Sequence, residues 1–185
     1  VDVGLDERYT PGEFRIVGAS GGETVAETRL EITPDLRIIE FDVGRNQPER
    51  MPEELGETSD AQGLVTVENV GSGPEYVRKL LFSGDVPNPT TGIESDENPR
   101  SGILGEDGPV VLTPGSTITL FSWTVPFLFR DSQNIQCTVA REVGEVDVSI
   151  IPTVSPVVVS NRYDIEYLRE SDGECSVVVL GAVNG

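Results

Sequence analysis

Leu64-Val65-Thr66-Val67-Glu68-Asn69-Val70-Gly71-Ser72-Gly73-Pro74-Glu75-Tyr76-Val77-Arg78-Lys79-Leu80-Leu81-Phe82 is the stretch that sets the reading of the chain. Two runs rich in valine, leucine and aromatic residues flank a cluster of Asn, Gly, Ser and Pro. Such runs favour extended backbone, and such clusters mark turns. The segment therefore predicts two strands, Leu64 to Val70 and Tyr76 to Phe82, joined as a hairpin. The same grammar recurs outward in both directions. Glu13-Phe14-Arg15-Ile16 and Thr28-Arg29-Leu30-Glu31-Ile32 alternate with period two, which puts charges on one face and apolar groups on the other. Leu36 to Val43 alternates with a slip at Ile38-Ile39, the signature of one extra residue in a strand.

Further strand-like runs are Val110 to Leu112, Ser116 to Trp123, Ile135 to Val139, Glu145 to Ile151, Val157 to Tyr167 and Cys175 to Leu180. The first two flank Thr113-Pro114-Gly115 and predict a second hairpin. Only Pro52-Glu53-Glu54-Leu55 suits a helical turn. Nine to eleven strands at even spacing, without helices between them, predict an all-β single-domain sandwich over residues 1–185. An eight-stranded jelly roll with extra strands is the expected form. Two acidic segments rich in Pro and Gly, Gly44 to Gln62 and Ser83 to Gly108, are expected as long loops.

Charge fixes the environment. The 185 residues carry 32 acidic and 13 basic side chains, no histidine and a net charge of −19. Lys79 is the single lysine, so arginine supplies nearly all the positive charge. Arginine's forked, weakly hydrated cation tolerates desolvation better than lysine's compact ammonium. A coat this acidic repels itself in dilute buffer. At 1 M salt the Debye length falls to about 3 Å and the repulsion is largely screened. The composition thus predicts a protein of concentrated brine, with salt cations at its surface. It disfavours nucleic acid and anionic lipid as direct partners. No run approaches the ~20 apolar residues of a membrane-spanning helix. Val1 to Arg8 has neither the basic start nor the apolar core of a signal peptide, and the sequence leaves open whether a leader preceded it.

Chemistry is sparse. Gly18-Ala19-Ser20-Gly21-Gly22 matches the G-x-S-x-G pattern, but a strand-like run follows it and no histidine exists to take the serine proton. It reads as a glycine-rich turn. Missing histidine also removes most general-base schemes near neutral pH, so no enzyme is expected. No cofactor site emerges. Glu94, Asp96, Glu97 and Asn98, with Glu106-Asp107-Gly108, offer oxygen atoms to calcium without the spacing of a calcium loop, and read as solvated acidic loop. Cys137 and Cys175 each lie in an apolar alternation. They are either two small buried hydrophobes or the ends of a cross-strand disulfide. Phe127-Leu128-Phe129, after Pro126, puts apolar groups on both sides of one extended stretch, as an edge packing against a neighbouring subunit would. Arg15, Arg37, Arg78 and Arg130 are candidates for pairing with carboxylates across such contacts.

This profile of length, acidity, all-β patterning and missing catalytic set resembles the small major capsid protein of haloarchaeal, membrane-containing icosahedral viruses, the sphaerolipovirus group. The resemblance implies a single vertical jelly roll. It also implies a capsid shell, as a virion component, in which the chain assembles with itself and a larger capsid subunit over an internal membrane. A second resemblance rests on Pro34-Asp35-Leu36-Arg37-Ile38-Ile39, Val67 to Pro74, and Thr113-Pro114-Gly115-Ser116-Thr117-Ile118. These are similar to CARDB-type adhesion modules of the immunoglobulin-like class. That likeness implies a secreted adhesion or filament subunit at the surface of a haloarchaeon.

Overall fold

The computed structural model describes residues 9–90, 103–104, 109–129, 142–171 and 173–183. Ten strands are present among them, each where side chains alternate or β-branched residues cluster: β1 Gly12–Ser20, β2 Glu23–Ile32, β3 Leu36–Val43, β4 Gly63–Asn69, β5 Glu75–Gly84, β6 Val110–Leu112, β7 Thr117–Phe121, β8 Glu142–Pro152, β9 Val159–Arg169 and β10 Cys175–Ala182. They form a three-stranded sheet β3-β4-β7, a five-stranded sheet β10-β9-β8-β5-β6, and a separate β1-β2 hairpin. Every pairing is antiparallel. The chain is an all-β sandwich, as its sequence predicts.

The core lies between the two larger sheets. Leu36, Ile38, Phe41, Val43, Val65 and Val67 from one meet Val77, Leu80, Phe82, Val146, Val148, Ile150, Tyr163 and Ile165 from the other. Period-two alternation sends these side chains inward and their neighbours out. Four aromatic rings occupy the centre: Phe41 sits 5.8 Å from Phe82, 5.9 Å from Phe127 and 5.1 Å from Tyr163, between ring centroids. Gly63 makes room for this cluster, because a Cβ there would lie 2.6 Å from the Phe82 ring. The slip at Ile38-Ile39 is a bulge in β3, where the register against β4 shifts between Ile38 and Glu40.

Both expected hairpins are instead crossovers between sheets. β4 pairs with β3 and β7, whereas β5 pairs with β6 and β8. The turn after β4 cannot fold back because it is tied to the chain entering β3. Val70 N–H donates to the Asp35 carbonyl at 2.8 Å, and the Ser72 and Gly73 N–H groups both donate to the Thr33 carbonyl. Gly71 packs so closely there that a Cβ would sit 2.4 Å from Asp35 N and Thr33 O. The turn before β7 is laid on the same place, with Gly115 N–H donating to the Asn69 carbonyl and Asn69 N–H to the Ser116 carbonyl. On the far side of the crossover, the buried Glu75 carboxylate accepts N–H bonds from Tyr76, Val154 and Ser155 at 2.8–2.9 Å. A carboxylate removed from water needs such partners.

Among the described strands, β3 to β9 follow the order of an immunoglobulin-type sandwich. β3, β4 and β7 take the places of strands A, B and E, while β6, β5, β8 and β9 take C′, C, F and G, and β10 extends that sheet. The eight-stranded jelly roll expected from the sequence is not specifically seen: among the described strands β8, β9 and β10 run consecutively within one sheet.

The segment expected as a first long loop is structured. Residues Gly44–Asn46, Pro48–Arg50 and Glu53–Ala61 form tight 3₁₀ turns. From them Arg50 reaches the outer face of the three-stranded sheet, where it grips Glu40 through two bonds of 2.7 and 3.0 Å and donates to Thr66 Oγ1. The Arg50 guanidinium holds the Glu40 carboxyl below its ordinary value, burial opposes this, and the Thr66 hydroxyl adds to it. A carboxyl lowered in the fold stabilises the native state above its unfolded value, and that contribution is lost as pH falls through the folded one. Replacing Arg50 by Met should therefore weaken the dependence of stability on pH on the acid side of pH 4. Because both side chains are partly exposed, the effect should stay below about 1 kcal/mol, measured by urea unfolding at a series of pH values.

Of the second long loop, Ser83 to Gly108, the possible calcium donors Glu94, Asp96, Glu97, Asn98, Glu106, Asp107 and Gly108 lie outside the described residues. So do Arg130, Cys137 and the Ile135 to Val139 run.

Candidate functional site

Two features of the described surface offer themselves as sites. The first is a cleft of about 410 Å³ at one end of the sandwich. Phe127, Leu128, Phe129 and Val177 form its apolar side, and Arg45 with Asp60 and Glu174 its polar side. Arg45 donates to Glu174 at 3.3 Å and to the Cys175 carbonyl at 3.3 Å, and it lies 3.9 Å from Asp60. Its charge is thus already met by two carboxylates, and the cleft presents no nucleophile beside a base. Among the described residues no cluster of three or more acidic or cysteine side chains is placed to hold a metal.

The cleft also locates the expected contact residues. Phe127 is 3% exposed and belongs to the core, not to an edge. Its ring lies 5.9 Å from both Phe41 and Phe82. Pro126 is the reason: it breaks the extended stretch into a turn that dips inward, pinned by the Phe127 N–H bond to the Ala61 carbonyl. Asn88 fastens the same turn by donating to the Val125 and Leu128 carbonyls. Leu128 and Phe129 are half-buried, and Phe129 meets Tyr167 edge to face at 5.4 Å. Trp123, at the end of the run expected as a strand, is an exposed side chain. Cys175 is half-buried and disulfide-bonded, so it is not a free thiol. Cys137, the other cysteine of the sequence, lies outside the described residues.

The second feature is the β1-β2 hairpin, which carries Gly18 to Gly22 at its tip. Gly21 and Gly22 adopt left-handed backbone that glycine permits at little cost, as a tight turn requires. Nearly every residue of both strands is exposed. Among the described residues the hydrogen bonds that tie the hairpin to the sandwich lie at its base. There Ser72 Oγ accepts from Thr33 N–H and donates to the Glu31 carbonyl, and the Tyr9 hydroxyl donates to the Pro74 carbonyl.

Register sorts its side chains into two unlike faces. Phe14 pairs with Leu30, Ile16 with Thr28 and Gly18 with Ala26, giving one face that is free of charge as far as its tip, where Ser20 pairs with Glu23. Glu13 pairs with Glu31, Arg15 with Arg29 and Val17 with Glu27 on the other. That second face is closed by diagonal ion pairs, Arg15 to Glu27 at 2.7 Å and Arg29 to Glu13 at 3.0 Å. Of the arginines expected to bridge subunits, Arg15 pairs within its own hairpin and Arg37 pairs with Asp35 at 3.1 Å. Arg78 lies on β5, and the structure gives it an interaction within the chain. The alternation of β1 and β2 was visible in the sequence, but whether anything covered the apolar face was not.

No protein-family model, curated protein or solved structure matches this chain.

Proposed function

We propose that this chain is a non-catalytic structural module of a salt-rich extracellular setting: an immunoglobulin-like adhesion or filament subunit that acts by forming contacts. The observation that carries the reading is the strand order, A-B-E facing C′-C-F-G, because it matches the modular class and departs from the jelly roll of a shell protein. The bonded state of Cys175 supports it, since disulfides persist chiefly in oxidising compartments outside the cell. The absence of histidine and the neutralised cleft fit a contact role better than catalysis. Fold alone does not dictate function.

The capsid reading draws on the same acidic, all-β profile, and the projecting hairpin is compatible with it as an arm reaching a neighbouring subunit. Strand order ranks it second. Mass spectrometry of the source organism's fractions separates the two. The adhesion reading expects the chain in the cell-surface or filament fraction, with Cys137 and Cys175 joined in one non-reduced peptide and a leader encoded upstream of Val1. Recovery from virus particles, with an initiator methionine directly before Val1, would establish the capsid reading instead.

A further inference from the structure

We infer that the apolar face of the β1-β2 hairpin is a homotypic docking surface, which stacks face to face on the same hairpin of a second copy about a two-fold axis. The occupant follows from two observations. One is charge. In a chain of net charge −19, a second copy meets repulsion wherever carboxylates are exposed. This face bears Phe14, Ile16, Gly18, Ala26, Thr28 and Leu30, with a charge only at its tip, where Glu23 pairs with Ser20, and the ion pairs Arg15–Glu27 and Arg29–Glu13 neutralise most of the opposite face. It is thus a surface on which like-charged copies approach at little electrostatic cost. A basic partner would find only the Glu23 carboxylate at the tip to steer it.

The other observation is shape. Along the hairpin the cross-strand layers run from large to small: Phe14 with Leu30 near the base, Ile16 with Thr28 in the middle, Gly18 with Ala26 toward the tip. A two-fold axis through the Ile16/Thr28 layer places the bulky base of each copy over the small tip of the other. Large against small is how facing layers interdigitate, and an isologous contact must be self-complementary in this way. A parallel stack would set one bulky Phe14/Leu30 layer on the other and leave a void over Gly18 and Ala26. Exposure agrees with this occupancy. Ile16 is 50% and Leu30 47% exposed in the single chain, and an isolated two-stranded hairpin is only marginally stable in water.

The face is small. Nine or ten residues at ~3.3 Å each give a ribbon about 30 Å long, well short of the ~800 Å² per partner of a standard interface. One such contact is weak, and it becomes effective where a repeating assembly multiplies it. The inference rests on the contact-forming role proposed above, whether in a filament or a shell, and does not depend on which.

The test is sedimentation velocity of the full chain in 3 M NaCl over a range of protein concentrations, alongside cross-linking. The wild type should show a reversible monomer–dimer equilibrium. Ala26→Phe fills the small end of the face and should weaken association at least about tenfold, while the thermal midpoint stays unchanged because the strand is exposed. Ile16→Cys should be captured as a covalent dimer by a short bis-maleimide, and Val17→Cys, on the charged face, should not. A monomer at millimolar concentration overturns the proposal, as does equal capture through Val17→Cys or a dimer indifferent to Ala26→Phe. If the chain is monomeric yet recovered from filaments or particles, the docking inference fails alone and the assembly reading stands. A dimer found only in the cytosol would sink the proposed setting and leave the docking face intact.

Discussion

Asn69→Ala should destabilise the sandwich by about 3–5 kcal/mol, more than any other single polar truncation expected here. The side chain is fully buried. Its amide nitrogen donates to the Gly73 carbonyl at 2.9 Å and the Leu112 carbonyl at 3.0 Å, while its oxygen accepts from the N–H groups of Asp35 at 3.2 Å and Gly71 at 3.0 Å. Four backbone groups from three separate segments thus depend on one amide. A buried donor or acceptor left without a partner costs about 1–3 kcal/mol, and water entering the partly exposed turn recovers some of that. Asn69→Asp isolates the donor half. A carboxylate still accepts from Asp35 and Gly71 but faces the two carbonyls with no hydrogen to give. Its penalty should be greatest near neutral pH and relax as the carboxyl protonates. In sign, a carboxyl whose folded pKa is raised gains stability as pH falls. Urea unfolding of both variants at pH 7 and pH 5 measures this, and a loss below about 1 kcal/mol for Asn69→Ala would show that Asn69 does not hold the crossovers.

The same residue explains where sequence reading stops. Val70 to Pro74 announces a turn in any context, and the β-branched runs on either side announce strands. Local pattern fixes that the chain reverses, but not whether the second strand returns to its predecessor or crosses to the opposite sheet. That choice is made by partners distant in sequence: Thr33 and Asp35 for the turn, Leu112 for the amide of Asn69, Val154 and Ser155 for Glu75. By contrast, the β3 bulge was legible because an extra residue breaks the alternation within the strand itself.

Site residues divide along the same line. Phe127 and Trp123 are both large and apolar, and residue type alone does not say which of the two enters this core. The turn at Pro126 decides it, carrying Phe127 between Phe41 and Phe82 and leaving Trp123 outside. For the hairpin, period two predicted one apolar and one charged face correctly. Burial is a tertiary property, and β1 and β2 have no sheet of the sandwich beneath them.

The largest response of all should be to salt. Between 0.1 and 3 M NaCl the unfolding free energy should rise by several kcal/mol, a substantial share of the ~5–15 kcal/mol typical of a native domain. Two electrostatic effects compete. Screening weakens attractive pairs such as Arg162 with Glu145 and Asp147, but these are exposed on the sheet surface and worth about 0–1 kcal/mol each. Screening also removes repulsion among 32 acidic groups that only 13 cations offset. The Debye length falls from about 10 Å at 0.1 M to about 3 Å at 1 M, so most of that relief should arrive by 1 M. With so large an excess of one sign, the repulsive sum prevails. Concentrated salt also strengthens apolar burial, so the electrostatic part needs its own control. Repeating the titration near pH 4, where carboxylates are protonating, should remove most of the rise below 1 M and leave the gentler increase above it. A stability that is level from 0.1 to 3 M at pH 7 would mean that the acidic coat is not a device for brine. An equal slope at both pH values would assign the gain to apolar burial rather than to charge.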